Sequence, residues 1–236
     1  MARLFVFVFL SLLFCQRSMA QGDHISIGIG PSMVYVDNNS GVYQDLNFKV
    51  KPAFTASYNK QMTENIALRG TFGVQLLNSG EYDLSFIKRI SNWGKQDQAF
   101  DFKGTGYFVD VLPVFTTNPN ALGMLMSTLQ FYAGIGFGGM FVQREQKTLL
   151  NGVVEDGELV EGDFVTTNET SFSPYIPFKT GISTNLSGDW DFGLEFSLFV
   201  TMNSELDGNN IKHNQINPDM ASQILFKVKR YIGPAW

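Results

Sequence analysis

The chain holds one cysteine, Cys15, and two histidines, His24 and His213. A single thiol excludes a disulfide framework and a cysteine-rich metal site. Two histidines far apart leave little for general acid–base catalysis, and no Ser/His/acid set stands out. Basic residues are also scarce: 17 Lys and Arg against 22 Asp and Glu, with no basic cluster. Phosphate binding depends on Lys and Arg, so nucleic acid is not an expected partner. Long apolar runs are missing apart from Leu4–Phe14 (LFVFVFLSLLF), which is shorter than the roughly 20 residues a membrane helix needs. There is no Pro/Ser-rich linker and no low-complexity tract.

The start of the chain reads as an export signal. Arg3 precedes the apolar run, and Ser18-Met19-Ala20 offers small residues at the positions a signal peptidase reads. Cleavage is expected before Gln21, leaving 21–236 as one barrel domain. A lipoprotein signal acylated at Cys15 is the rival reading, but Phe14 stands where such signals take Gly or Ala. Loss of residues 1–20 removes Arg3, Arg17 and the cysteine, and takes the formal charge from −5 to −7. An exported, cysteine-free chain suits a bacterial envelope protein.

What the sequence has in quantity is alternation. Ile25, Ile27 and Ile29 alternate with Ser26, Gly28 and Gly30. Phe48, Val50, Phe54, Ala56 and Tyr58 oppose Lys49, Lys51, Thr55 and Ser57. Ile66, Leu68, Phe72, Val74 and Leu76 oppose Ala67, Arg69, Thr71, Gly73 and Gln75. Between Thr105 and Phe115 both parities are apolar, and Asp110 selects its own side as inward, because a carboxylate facing lipid is costly. The pattern returns at 129–141, 175–183 and 223–229, and is cleanest at Trp190–Val200, where one side has no polar member. Side chains on a strand point alternately to opposite faces, so each segment has one oily face and one polar or small face.

These segments predict eight strands. Asn59–Asn65 and Asn185–Asp189 read as short turns, and Thr116–Thr128 is intermediate. Asp37–Asn47, Asn78–Phe100, Gln143–Ser171 and Met202–Met220 read as long polar loops. Long loops at one end and short turns at the other predict an all-β fold: an eight-stranded, up-and-down, antiparallel transmembrane β-barrel in a bacterial outer membrane, bathed by its lipids. Closure leaves no unpaired edge in lipid. A soluble lipocalin-like periplasmic carrier is the alternative barrel, and the oily row at Trp190–Val200 argues against it. The final Trp236 suits outer-membrane export, although Pro234 interrupts any strand just before it.

Gly134, Gly136 and Gly139 in YAGIGFGG fit the spacing of a dinucleotide-binding turn. That turn needs a strand before the glycines and a helix starting within them. Here period 2 runs straight through, so the glycines read as room on the inner wall of a narrow barrel. No cofactor is expected. Asp207-Gly208-Asn209-Asn210 lacks the spacing and terminal Glu of a calcium loop, and no metal is expected either.

LQFYAGIGFGGMFV resembles the fifth strand of small outer-membrane barrels of the OmpA and OmpX class. IPFKTGISTNLSGDWDFGLEFSLFV followed by ELDG, and PAFTASYNKQMTENIALRGTFGV, resemble a Bacteroidota family of eight-stranded barrels, with Lys179 where that pattern has a small residue. The best-known member is a barrel subunit of the type IX secretion and gliding apparatus. The resemblance implies a non-enzymatic structural or accessory subunit, with periplasmic ring or lipoprotein subunits as partners. A free-standing barrel for envelope stability, or for adhesion through its outer loops, is the alternative.

Candidate sites follow from the parity. Lys49, Lys51, Arg69, Asp110, Lys179, Glu195, Lys227 and Lys229 are inward, and charges in a narrow barrel have to pair or meet water. Glu195 and Asp110 are expected to form an ion-pair network with Arg69 and Lys179, which serves either as an ion path or as a polar plug that sets register. The plug is the preferred reading. Leu122, Met124, Leu125 and Met126 are apolar in an intermediate turn and are candidates for periplasmic docking. Leu84–Gly94 carries apolar residues in an outer loop and is expected over the barrel mouth. Glu155–Asp163 is acidic and reads as solvated loop.

Overall fold

The computed structural model describes residues 23–36, 49–63, 65–79, 87–117, 129–155, 158–184, 189–203, 205–209 and 218–232. The expected signal segment, Leu122, Met124, Leu125, Met126, His213 and Trp236 lie outside them. The strands are β1 (His24–Tyr35), β2 (Lys51–Gln61), β3 (Ile66–Asn78), β4 (Asp101–Thr116), β5 (Leu129–Ile135), β6 (Phe137–Glu155), β7 (Glu158–Thr184), β8 (Trp190–Thr201) and β9 (Met220–Tyr231), with one helix, α1 (Ile87–Gly94).

β5 and β6 are two halves of one barrel strand. Their registers on β4 and on β7 are continuous across Gly136. The ladder lapses there because the register sets Ile135 against Pro113 and Gly136 against Pro177, and proline has no N–H to give. Gly136 still donates to the Pro177 carbonyl, at 3.2 Å. It also sits so close to Leu112 that a Cβ would strike that residue's backbone. Counted this way the ring has eight strands, every neighbouring pair antiparallel, and β3 pairing with β4 closes it.

The outer face is an apolar band to which every barrel strand contributes. Ile27, Phe54, Phe72, Val109, Val111, Phe131, Phe137, Phe178, Phe196 and Phe226 are all exposed. Charge returns at the two rims. At the outer rim Lys103 faces Glu145 (3.0 Å) and Asp101 faces Lys147 (3.3 Å) across β4 and β6. At the other rim Arg230 lies over the Trp190 ring, 5.3 Å from its centroid. A closed sheet with an oily outside and charged rims is a transmembrane barrel, and this architecture belongs to the bacterial outer membrane. An exterior of this kind does not suit a soluble carrier.

Inside, large residues stand directly opposite glycines. Phe108 faces Gly73, Tyr175 faces Gly138 and Tyr132 faces Gly181. A Cβ on any of these glycines would run into the facing ring. Each ring therefore lies across its neighbour strand and takes up the space the glycine leaves.

Two outer connections have more structure than their polar sequences predict. Gln143–Ser171 is no loop: β6 and β7 continue past the membrane as a paired hairpin from Gln143↔Thr170 up to Glu155↔Glu158. In water neither face of a strand has to be oily, so the alternation that reveals a strand fades. From Glu145 to Glu155 the hairpin rises roughly 33 Å at about 3.3 Å per residue. Within Leu84–Gly94, residues 87–94 form α1, burying Ile87, Ile90 and Trp93 on one side. These pack with Phe100 and Leu149. The helix lies against β6 of the hairpin, where Ser91 Oγ donates to the Gly152 carbonyl (2.5 Å).

Candidate functional site: the barrel interior and its outer head

The register places Thr71 of β3 opposite Asp110 of β4, and Gly181 of β7 opposite Glu195 of β8; the Thr71, Asp110 and Glu195 side chains turn inward and are buried. Glu195 accepts from Arg69 at 2.5 Å, from the Tyr132 hydroxyl at 2.9 Å and from Lys227 at 3.2 and 3.3 Å. Lys179 donates to Asp110 at 2.8 Å and to Thr71 at 3.0 Å, and Tyr175 donates to Asp110 at 3.1 Å. Ser57 lies 3.3 Å from Thr71 and 3.5 Å from Lys227, so it links the two carboxylate centres. Arg69, Asp110, Lys179 and Glu195 are thus gathered as two pairs, Arg69 with Glu195 and Lys179 with Asp110, all fully buried.

Lys227 is the third cation of this cluster and pairs with Glu195. Tyr132 and Tyr175 complete it. The signal for both tyrosines was present in the sequence as inward aromatics opposite inward glycines, but only the register shows which glycine faces which ring. Lys229 sits nearer the periplasmic rim, donating to Ser183 (2.7 Å) with its ammonium 4.9 Å from the Tyr132 ring centroid. Asp191, also buried near that rim, accepts from Thr184 (2.9 Å) and Tyr231 (2.8 Å). Lys49 and Lys51 stay at the outer end and are only partly buried. His24 packs against Tyr231 at the periplasmic rim, 5.4 Å between centroids.

Above the charged layer lies a largely apolar one, with a buried Gln75–Gln223 pair (2.8 Å) beside it. Val34, Leu77, Phe102, Phe108, Met140, Val142, Tyr175, Phe199, Ala221 and Leu206 form one buried cluster across the outer half of the lumen. Leu206 belongs to the connection between β8 and β9, so an outer loop sends a side chain down into the mouth. That loop is tied on several sides. Arg144 donates to the Glu205 carbonyl (3.2 Å) and to Ser171 (2.6 Å), and the Leu206 amide donates to Asp219 (3.2 Å). The Asn209 side chain makes two bonds to the Ala99 backbone, at 2.9 and 3.0 Å. Ala99 follows α1, so the mouth loop, α1 and the hairpin form one braced head.

Chemically this is a lumen in which three cations share two carboxylates, under an apolar stopper. Among the described residues no three His, Cys, Asp or Glu are grouped to hold a metal ion. Asp207 and Asn209 are buried and use their polar atoms on each other and on Ala99.

No family model and no curated protein sequence matches this chain. Three solved structures are similar in outline. Neisserial surface protein A is 10% identical, with 91% of this chain and 100% of that one covered and a TM-score of 0.48. Ail, the attachment invasion locus protein of Yersinia pestis, solved with the heparin analogue sucrose octasulfate, is 17% identical, with 89% and 97% covered and a TM-score of 0.44. The outer membrane protein OprG from Pseudomonas aeruginosa is 10% identical, with 91% and 99% covered and a TM-score of 0.41. The barrel assignment rests on the strand pairing and the apolar exterior themselves.

Proposed function

We propose that this chain is a non-enzymatic outer-membrane barrel that acts as a closed anchor for an interaction head outside the membrane. The observation that carries the reading is the combination of a stoppered lumen with a braced outer hairpin. Ions crossing the barrel would have to displace Leu206, Phe108, Phe199 and Met140, then break buried pairs around Glu195 and Asp110. The residues beyond the membrane, by contrast, are held by a helix and a tied loop, which is more order than a passive connection needs. Attachment through the outer surface is the resulting activity.

The sequence resemblance supports a second form of the same reading. In it the barrel is an accessory subunit of a Bacteroidota envelope assembly, such as type IX secretion. Its partners would then be periplasmic ring or lipoprotein subunits docking at Leu122, Met124, Leu125 and Met126.

One experiment separates the two. Intact cells carrying the full chain, or a variant lacking residues 148–165, are cross-linked, and the barrel is recovered from solubilised outer membrane. Partners captured by the full chain and lost with the hairpin support the outer head. The same partners in both samples move the function to the periplasmic turn. In planar bilayers the purified barrel is expected to give no steady conductance, and a large, steady one would overturn the closed-anchor reading.

A further inference from the structure

We propose that the edge of β7 left without a strand neighbour among the described residues, Asp163–Thr170 with the acids above it, is a docking strand for a basic, extended polypeptide segment outside the membrane. This rests on the reading that the outer head is the working part.

The two edges of the projecting hairpin are treated differently. On the β6 side, the ladder with β4 runs up to Asp101↔Lys147. Above it the Phe100 amide donates to the Lys147 carbonyl, Ser91 bonds Gly152, and α1 packs on Leu149. Gly94 comes so near the Leu149 carbonyl that no Cβ would fit. That edge is covered. On the β7 side, the ladder with β8 ends at Tyr175↔Thr201, and the chain after β8 still bonds β7 at Pro174, Phe172 and Ser171, just below Thr170. Among the described residues, Glu158–Thr170 has β6 as its sole strand neighbour.

In an antiparallel pair, alternate residues turn their N–H and C=O groups away from the partner, so an uncovered edge is a template for one more strand. The register of Asp163–Thr170 on β6 is regular, and irregularity begins above it, between Leu150 and Val153. Strand addition of this kind takes its affinity from the main chain and its choice of partner from side chains.

The side chains select for positive charge. Glu158, Glu161, Asp163 and Glu169 lie on or above this edge, and no Lys or Arg occurs between 158 and 178; on the paired strand Arg144 faces Glu169 and Lys147 faces Thr166, so the acids at 158, 161 and 163 carry the selection. They also select against a second copy. Two barrels in one membrane point their hairpins the same way, so their β7 edges can meet only in parallel. An edge-to-edge contact of that kind would crowd two copies of the same acids together with no Lys or Arg from this stretch between them, and like charges close to one another are destabilising.

The test uses the full chain in phospholipid nanodiscs. The probe is a fluorescent eight-residue peptide alternating Lys with Val or Thr, and the control is the same peptide fully N-methylated, which keeps the charge and cannot join a sheet. Saturable binding of the probe is expected, at least tenfold weaker for the methylated peptide. It should be equally weakened, with a shallower salt dependence, by the combined variant E158Q/E161Q/D163N/E169Q. Heat-modifiable gel mobility confirms that this variant folds. No binding of the probe, or equal binding of the methylated form, overturns the proposal, as does a dimer of the wild-type chain that forms through this edge. If the probe fails while the hairpin still captures partners from cells, the edge inference falls alone. If both fail, the outer-head reading falls with it.

Discussion

Glu195→Gln is the most informative single change. It keeps the side-chain volume and removes one charge at the point where three donors converge. Arg69, Lys227 and Tyr132 all bond this carboxylate, and both cations are fully buried. Once it is neutral, the remaining nearby acid, Asp110, is already engaged by Lys179 and Tyr175. Removing one partner of a buried pair costs about 3–5 kcal/mol, because the partner left behind is an uncompensated buried charge. Two cations share this carboxylate, so the expected loss is at the upper end, about 5 kcal/mol. Arg69→Met leaves Glu195 held by Lys227 and Tyr132 but also strips the buried Asn59 side chain of its donor (2.6 Å), and its cost is about 3 kcal/mol, a charged hydrogen bond plus an orphaned acceptor. Replacing all three charges together, R69L/E195L/K227M, should recover most of the loss, since an apolar layer needs no compensation. The assay is urea unfolding in lipid vesicles, followed by tryptophan fluorescence and heat-modifiable mobility. The reasoning is refuted if Glu195→Gln stays within about 1 kcal/mol of wild type, the range of a surface pair. It is equally refuted if Arg69→Met costs more than Glu195→Gln.

Two further predictions test the inner and outer walls by the same unfolding assay. Gly73→Leu forces a side chain into the space of the Phe108 ring and should cost about 1–3 kcal/mol. Phe108→Ala in the same chain should absorb part of that cost, and a double-mutant cycle without coupling would show that ring and glycine are not matched. Val111→Arg puts a charge at mid-band on the lipid side and should cost about 2–4 kcal/mol. Asn168→Arg on the exposed hairpin should stay within about 0.5 kcal/mol, so equal costs at the two positions would contradict the membrane boundary drawn at Lys103 and Glu145.

The eight strands and their faces were legible because lipid outside and a narrow lumen inside impose opposite demands on alternate residues. The rule held even at Thr105–Phe115, where both parities are apolar and Asp110 alone marked the inside. It failed above the membrane. QREQK and VTTNET read as loop because water accepts either face, yet β-branched threonines and a paired neighbour keep them extended. The helix at Ile87–Gly94 hid for a related reason: it is two turns long, and its apolar residues match a surface that only the extended hairpin provides. Of the interior cluster, parity alone gave the inward charges. Sharing of one carboxylate by Arg69, Lys227 and Tyr132 depends on how far the strands are sheared past one another, and no single strand records that.

The layering of the lumen follows from the same geometry and bears on function. An eight-stranded barrel has little interior volume, so each level must alternate large and small residues. At the levels of Gly73, Gly138 and Gly181 the large partner is an aromatic ring lying across the lumen. Tyr132 and Tyr175 turn their hydroxyls toward Glu195 and Asp110, and Phe108, which has none, packs with Phe199 above (5.1 Å between centroids). The polar tips settle the charged layer and the ring bodies build the apolar one. On the closed-anchor reading, filling the barrel in this way also closes it. A chain selected to conduct would place small polar residues at 108, 132 and 175. This one uses those positions to stiffen a wall from which the β6–β7 hairpin rises without a break in register at the membrane surface. On the closed-anchor reading, loosening the stopper should loosen the hairpin as well.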